Sequence, residues 1–315
     1  MKRLALVFPI LSLACGGADV VLGADDGGDS GSSADVLVGT DAPVADVATT
    51  DAPSDASTSD VTTTFDPLSV SGLVLWLEGS SGVTQNNNAV SAWADKTSNH
   101  NDATQPTAAV QPTYVASAIH SLPAIHFDKD AQGVSTGGNE LSIADSTSMQ
   151  WGTGDFYVVV VARFDNTVAD GAERGVGLLY SKNTGGNDFP GVFITANIAG
   201  GIMTPTNGFA ASTSFAANGY VAVTTLYNDD VARTFAAQRV GSTLDLRING
   251  ASVGTASSAG NDISSVGIAA SIGGLANGAG VRLDGDIAEI LAVKGTLSAG
   301  DRTSIEQYLK NKYAL

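Results

Sequence analysis

The sequence predicts an all-β domain, a sandwich of antiparallel strands, with one helix at its C-terminal end. Glycine accounts for 37 of the 315 residues and aromatic residues for only 6 %, a composition typical of β proteins with many turns. From residue 67 onward, short apolar runs alternate with clusters of Gly, Asn, Asp, Ser and Pro, which favour turns. A helical pattern of apolar residues occurs only near the end of the chain.

Short runs of apolar and β-branched residues mark the predicted strands. These are Leu73–Leu77, Ala124–Phe127, Phe156–Arg163, Gly177–Ser181, Gly191–Ala196, Tyr220–Tyr227, Thr234–Val240, Leu244–Asn249, Gly267–Ile272 and Asp286–Val293. The segment from Phe156 to Val161 has no polar face, so we expect a central strand that is covered on both sides.

The clearest local signal is a hairpin from Leu244 to Val253. Leu244, Leu246 and Ile248 alternate with polar residues, which is the period of a half-buried strand. Asn249-Gly250 then supplies the two residues that tolerate the positive φ angles of a tight hairpin turn.

A single helix is predicted after Leu297. Ser298 is a suitable N-cap, with Asp301 three residues later in the manner of a capping box. Ile305, Tyr308 and Leu309 recur at helical spacing. Lys310 and Lys312 fall in the last turn, where positive charge is favourable.

The first fifteen residues predict a lipoprotein signal peptide. Lys2 and Arg3 precede an apolar run that is too short to span a bilayer. The run ends at Ser12-Leu13-Ala14-Cys15-Gly16, which resembles the lipobox of bacterial lipoproteins, in which the cysteine becomes lipidated. Cys15 is the only cysteine, so the one thiol lies where a lipid would be attached. Gly16 resembles the residue that follows the cysteine in lipoproteins sent to the outer membrane. Cleavage at an ordinary secretory site is the alternative.

Residues 16–66 predict a disordered acidic linker. Residues 16–64 contain ten Asp, no Lys or Arg and no aromatic residue, and they are rich in Gly, Ser, Thr and Ala. Such a segment cannot bury enough apolar surface to offset its ordering entropy. We expect either a spacer that lifts the domain from 67 to 315 off a membrane or a passive linker.

The charge balance excludes some partners. The net charge of −17 makes nucleic acid an unfavourable partner, because phosphate binding needs clustered Lys and Arg. Residues 65–315 alone have a net charge of −9, which disfavours acidic polysaccharides as well.

From about residue 68 onward, the order of motifs resembles bacterial laminin-G-like domains of the concanavalin A-like lectin/glucanase superfamily. The matching segments are Leu75–Glu78, Val90–Gln105, Gln111–Tyr114, Leu122–Asp128, Leu244–Gly250, Gly285–Ile290, Leu297–Ser298 and Tyr308–Tyr313. The resemblance implies a jelly roll of two antiparallel sheets. It implies no single activity, because this fold carries lectins, hydrolases, adhesion modules and spacers.

Two groups of residues are candidates for chemistry. Asp284, Asp286 and Glu289 form a D-x-D-x-x-E segment, related to the E-x-D-x-x-E of laminarinase-type hydrolases. Retaining hydrolysis needs two carboxyl groups about 5–5.5 Å apart. Residues two apart share a face of a strand, and the third joins them only through a bulge. The alternatives are an ordinary last strand, which the sequence favours over catalysis, and calcium binding.

The second group is the loop Asp95, Asn99, Asn101 and Asp102, whose oxygens are of the kind that Ca²⁺ takes. Turn formation by the same Asn and Asp side chains is the alternative, and the one that we favour. Trp76 and Trp93 could stack on sugars or lie in the core, and we expect them in the core. His126 falls in an apolar strand and is expected at the core or rim.

The sequence therefore predicts a non-catalytic module anchored at the outer membrane or cell surface by a lipid on Cys15. It would bind a glycan or a surface protein through unidentified residues, and calcium is its only candidate cofactor. The alternatives are a glycoside hydrolase and a purely structural spacer.

Overall fold

The fold was obtained as a computed structural model. It describes residues 65–128, 139–166, 177–183, 191–196, 209–214, 219–225, 227–258, 262–274 and 282–315. They belong to a compact unit that spans Val61–Leu315. The predicted signal peptide, Cys15 and almost all of the predicted linker lie outside the described residues.

The described strands all belong to one antiparallel sheet. They are β1 (Leu73–Glu78), β2 (Val83–Asn86), β3 (Ala89–Trp93), β4 (Ala103–Thr104), β5 (Thr113–Ile119), β6 (Leu122–Phe127), β7 (Leu141–Ile143), β8 (Phe156–Phe164), β9 (Gly177–Asn183), β10 (Gly191–Ala196), β11 (Phe209–Ser214), β12 (Gly219–Val223), β13 (Arg233–Val240), β14 (Thr243–Ile248), β15 (Ala251–Ser257), β16 (Ala270–Ile272) and β17 (Gly285–Lys294). Short 3₁₀ turns occur at Pro67–Ser69, Ala108–Val110 and Thr147–Met149.

Two separate sheets are the expectation from the resemblance, but the pairing of the described strands is continuous. β17 pairs with β8 along one side, and with β1 and then β6 along the other. β5 pairs with β6 and, through Thr113, with β3. From β3 the ladder continues through β4, β7, β16 and β9 to β10. These corner pairings join what would be two layers into one sheet that curls as a half-barrel.

The inside of the curl is the main hydrophobic core. Side chains from distant strands meet there, among them Val158 and Ile290 from one part of the sheet and Ile143 and Ile194 from the other. β8 is buried along almost its whole length, as its uninterrupted apolar run predicts. Trp93 also lies in this core and is fully buried, as expected from the sequence.

A second apolar cluster lies on the outside of the sheet, beneath the single α-helix of the described chain. Helix α1 (Ala299–Tyr313) begins after Ser298, whose hydroxyl accepts a hydrogen bond from the Asp301 amide at 3.0 Å, as the sequence predicts. It buries Ile305, Leu309 and Tyr313 against the outer faces of β17 and β8. Neither α1 nor any shorter helix described here has the length and apolar composition of a membrane span.

The chain enters the domain on this same outer side. Phe65 packs against Tyr308 of α1, with ring centroids 5.9 Å apart. Val70, Leu73 and, at the other end, Leu315 belong to or pack against the same cluster. The first and last described residues therefore lie together, under and beside the helix.

The predicted hairpin is confirmed. β14 and β15 flank Asn249 and Gly250, which have φ angles of 48° and 79°. Such paired positive φ angles give the turn a twist that matches the twist of the strands. Asn249 adds a contact across the sheet, because its side-chain oxygen accepts a hydrogen bond from the Thr234 amide at 2.9 Å.

Candidate functional site

The D-x-D-x-x-E segment lies at the start of β17. Its pairing with β8 shifts register between Ile287 and Glu289, so one extra residue, Ala288, occupies the strand there. A bulge of this kind turns two successive side chains to one face. Ala288 and Glu289 both lie on the outer side, where α1 packs, whereas Ile287 and Ile290 point into the core.

Asp286 is held between two basic side chains from the neighbouring strands. Its carboxylate is 1 % exposed, with Arg163 Nη2 2.5 Å from Oδ2 and His126 Nδ1 3.2 Å from Oδ1. The hydrogen bond to Asp286 raises the pKa of His126 against the opposing effect of burial, and the charges of Asp165 and Asp284 add to the rise. Burial raises the pKa of Asp165, and the negative charge of Asp286 raises it further.

Glu289 belongs to a different group of contacts, which we call the helix network: Trp76, Glu78, Lys96, Glu289, Tyr308, Lys312 and Tyr313. Glu289 is fully buried. Its Oε1 accepts from the Trp76 indole at 2.7 Å and from the Tyr308 hydroxyl at 3.0 Å. Its Oε2 accepts from Lys312 at 2.6 Å and from the Tyr313 hydroxyl at 2.8 Å. Both oxygens are therefore fully used within the protein.

The helix network balances two carboxylates with two ammonium groups. Lys312 also contacts Glu78 at 2.5 Å, and Lys96 pairs with Glu78 while lying 3.6 Å above the Trp76 ring. Burial opposes ionisation of Glu78, but the hydrogen bonds from Lys312 and Lys96 outweigh it and lower the pKa to about 2. Burial and the charge of Glu289 raise the pKa of Tyr308 and of Tyr313.

These contacts divide the three carboxylates of the D-x-D-x-x-E segment between two environments. Asp286, with Asp284 and Asp165 near it, faces His126 and Arg163, whereas Glu289 is enclosed beneath α1. General acid–base work needs a carboxyl group within reach of the substrate proton. The carboxylate of Glu289 offers no such access, so the geometry favours a structural role for it.

The side chains of the Asp95–Asp102 loop form hydrogen bonds within the loop, to β1 and to the serines at 146 and 148. Asp95 Oδ1 accepts from the amides of Trp76 at 2.9 Å and Thr97 at 3.0 Å, and Oδ2 accepts from the Asn101 amide at 3.0 Å. Asp102 Oδ1 accepts from the Asp95 amide at 2.8 Å. Carboxylate oxygens so placed stabilise a turn.

The two asparagines of this loop both donate to β1, and Asn101 Oδ1 also accepts from the Ser146 hydroxyl at 2.7 Å. Asn99 Nδ2 donates to the Val74 carbonyl at 3.3 Å, and Asn101 Nδ2 donates to the same carbonyl at 2.7 Å. Among the described residues, no group of three or more His, Cys, Asp or Glu side chains is arranged to hold a metal ion. The calcium hypothesis for the loop remains a prediction without geometric support.

A feature that the sequence did not reveal lies across the core from α1. Thr104 of β4, Ser142 of β7, Ser271 of β16 and Ser181 of β9 are paired laterally, each with the next. We call these four residues the hydroxyl row. Their strand neighbours Ala103, Ile143 and Ala270 point into the core. Since side chains alternate along a strand, the four hydroxyl groups point outward.

The hydroxyl row ends at Ser181 of β9 and is accessible only at its β4 end. Ser181 is paired with Phe193, and Thr195 lies two residues farther along the same face. Thr104 is exposed and Ser142 is half-buried, whereas Ser271 is 2 % and Ser181 3 % exposed. Thr195 Oγ1 is buried and has no hydrogen-bond partner within the described part of the chain. With adjacent strands about 4.8 Å apart, the line from Thr104 to Phe193 is about 19 Å long.

An ion pair lies beside the hydroxyl row. Glu140 precedes Ser142 by two residues, and its carboxylate is 3.4 Å from Arg282. Burial raises the pKa of Glu140, while the charge and hydrogen bond of Arg282 act in the opposite direction. The row itself contains only neutral groups.

No protein-family model matches the chain, and no curated protein matches it. Its fold resembles the binding domain of Paraclostridial Mosquitocidal Protein 1, at 12% identity and a TM-score of 0.51, over 76% of this chain and 52% of the other. The Botulinum neurotoxin serotype G binding domain gives 10% identity and a TM-score of 0.50, over 75% and 50%. Domain 4 of AbnA, a GH43 extracellular arabinanase from Geobacillus stearothermophilus, in complex with arabinotriose, gives 13% identity and a TM-score of 0.49, over 75% of this chain and 98% of the other.

At 12% and 10% identity, the similarity to the first two structures shows only that the fold is shared. The chain spans about half the length of those two chains. What they share with it is therefore a β-rich architecture.

Proposed function

We propose that this protein is a non-catalytic binding module that takes a neutral glycan on the outer face carrying the hydroxyl row. The observation that carries the proposal is the lateral alignment of Thr104, Ser142, Ser271 and Ser181. Thr104 is exposed and Ser142 is half-buried, and the hydroxyl group of each can both donate and accept a hydrogen bond. These two groups, at the accessible end of the row, suit a ligand that itself presents hydroxyl groups.

The charge of the domain supports a neutral ligand. Residues 65–315 have a net charge of −9, and no member of the row is ionised. Anionic chains would be repelled by the overall field, whereas neutral sugars would not. With adjacent strands about 4.8 Å apart, the row from Thr104 to Ser181 is about 14 Å long, which matches a short oligosaccharide lying across the strands. The fold likeness to two toxin binding domains agrees with a binding role and says nothing of the ligand.

The proposal includes the form and the location that the sequence predicts. A jelly roll of the laminin-G-like kind would place the row on one layer and α1 on the other. Lipidation of Cys15 would hold the protein at the outer membrane or cell surface, with residues 16–66 as a spacer. Cys15→Ser should release the protein from the membrane fraction, and its retention there would contradict the anchor.

A glycan array tests the binding site. The full-length protein in detergent should bind neutral oligosaccharides, both with calcium and with EDTA. Ser142→Trp should abolish this binding, because an indole at the half-buried position would cover the row. Gln307→Trp, on the exposed face of α1, is the matched control and should bind as the wild type does. Failure of the wild type to bind neutral glycans, or unchanged binding by Ser142→Trp, would refute the proposal.

A further inference from the structure

Lys182 is fully buried, and its ammonium group is surrounded by oxygen atoms. Nζ lies 2.6 Å from Asp145 Oδ1, 2.7 Å from the carbonyl oxygen of Ile268 and 3.4 Å from that of Ser265. The side chain of Lys182 is 0 % exposed, while that of Asp145 is 17 % exposed. An ammonium group has three N–H donors, so three oxygen acceptors satisfy it without water.

The oxygen atoms come from two loops that this lysine joins. Asp145 follows β7, and residues 265–268 precede β16, while Lys182 itself is on β9. The second carboxylate oxygen of Asp145 accepts from the Gly267 amide at 2.6 Å and from Gln150 Nε2 at 3.1 Å. The hydrogen bond from Lys182, with a further one from Gly267, lowers the pKa of Asp145 against the opposing effect of burial.

The backbone of the second loop is bent around the ammonium group. Ser265 and Gly267 have φ angles of 49° and 77°, and the Ile268 amide donates to the Ser265 carbonyl at 3.1 Å. A turn of this kind directs two carbonyl oxygens, from residues 265 and 268, to one point. Carboxylate and backbone carbonyl oxygens are the donors that Ca²⁺ takes in proteins.

We propose that Lys182 is the built-in cation of a calcium-like site. The oxygen cage of Asp145, Ser265 and Ile268 requires a positive charge at its centre, and the lysine supplies it covalently. The ammonium group thus ties β7, β9 and β16 together, as a bound metal ion would. With Lys182 in place, the cage needs no divalent ion. This inference does not depend on the glycan proposal.

When the lysine side chain is shortened, the cage keeps its negative charge and gains room for a metal ion. Calcium prefers six to eight oxygen ligands at 2.3–2.6 Å, and water can supply the remainder beside the partly exposed Asp145. A single carboxylate gives a weak site, so we expect affinity near the millimolar range.

The test compares Lys182→Ala with Lys182→Met in the full chain, by thermal unfolding in EDTA and in about 10 mM calcium chloride. In EDTA both variants should unfold roughly 5–15 °C below the wild type, because each leaves the Asp145 carboxylate without its cation. Calcium should restore most of the loss in Lys182→Ala. It should not do so in Lys182→Met, whose uncharged side chain of similar length fills the space. The wild type should unfold at the same temperature in EDTA and in calcium chloride.

Equal instability of Lys182→Ala in calcium and in EDTA would overturn the proposal. So would wild-type stability of Lys182→Met, because the positive charge would then be dispensable. An equal rise in all three proteins would place calcium elsewhere and would also overturn it. If Lys182→Ala is unfolded in EDTA, refolding it in calcium gives the same readout: a native spectrum supports the proposal, and an unfolded chain in both solutions overturns it.

Discussion

The indole nitrogen of Trp76 donates a 2.7 Å hydrogen bond to Glu289, a residue 213 positions away in the sequence. The bond crosses from β1 to β17, which are paired strands. The same carboxylate accepts hydrogen bonds from Tyr308, Lys312 and Tyr313 of α1. Glu289 therefore fastens the first strand and the C-terminal helix to the last strand.

We predict that Lys312→Met destabilises the domain by about 3 kcal/mol, because it leaves two buried carboxylates, Glu78 and Glu289, with one ammonium group instead of two. Urea unfolding followed by circular dichroism measures the change. Lys310→Met, on the exposed side of the same helix, should alter stability by less than about 0.5 kcal/mol. Similar losses in the two variants would show that helix propensity, and not the buried charge, decides the result.

Stability should depend on pH through His126. Because its pKa is raised in the folded protein, the protonated form stabilises the fold. The charged groups that face it are Asp286, Asp165, Asp284 and Arg163. This contribution should be complete below the ordinary histidine pKa of 6.5 and disappear as the pH rises through the raised value.

The difference in unfolding free energy between wild type and His126→Gln measures this contribution. It should be largest below pH 6.5 and fall to a constant at alkaline pH. His120→Asn, at an exposed turn position with a φ angle of 45°, should show no such trend relative to wild type. A difference that grows as the pH rises would mean that the neutral imidazole is the stabilising form.

Asp95→Asn should destabilise the domain by about 2 kcal/mol, because the amide replaces one of two oxygens that accept backbone hydrogen bonds from Trp76, Thr97 and Asn101. The loss should be the same in calcium and in EDTA. Thermal unfolding in both solutions checks this. If calcium stabilises the wild type but not Asp95→Asn, the loop is a metal site and our assignment of the carboxylate to the turn is wrong.

Gly285→Ala should destabilise the domain by about 2 kcal/mol or more. Gly285 has a φ angle of 145°, and a Cβ atom there would lie 2.1 Å from the carbonyl oxygen of Arg163 on β8. The two strands would have to separate beside Asp286. Gly154→Ala is the control, since a Cβ at that position meets nothing within 4 Å. Equal unfolding midpoints for the two variants would contradict the close approach.

Local patterns in the sequence were sufficient to predict the longest elements. β8 is an unbroken apolar run, the Asn249-Gly250 turn has a specific backbone requirement, and the cap of α1 is a contact over three residues. β2, β3, β4, β5, β7 and β11 were not predicted. β2, β4 and β7 are only two to four residues long, and β2 is largely exposed, so neither length nor alternation marks them.

The candidate site was harder to foresee, because its residues meet only through long-range strand pairing. Thr104, Ser142, Ser181 and Ser271 are widely separated, and each looks like an ordinary polar residue in its own segment. Their alignment depends on the register of four strands. For the D-x-D-x-x-E segment, the spacing predicted that Glu289 could join the two aspartates only through a bulge, and the strand does contain a bulge. The sequence did not predict that residues of β1 and α1 enclose Glu289.

The contact between Phe65 and Tyr308 has a practical consequence. The described chain enters beside α1 and also finishes there, and the core separates this side from Thr104 and Ser142. A solid support or a fluorescent label coupled at residue 65 or at residue 315 would therefore lie on the opposite side of the molecule from a bound oligosaccharide. Immobilised in this way, every copy would expose the face that carries the hydroxyl row to the solution.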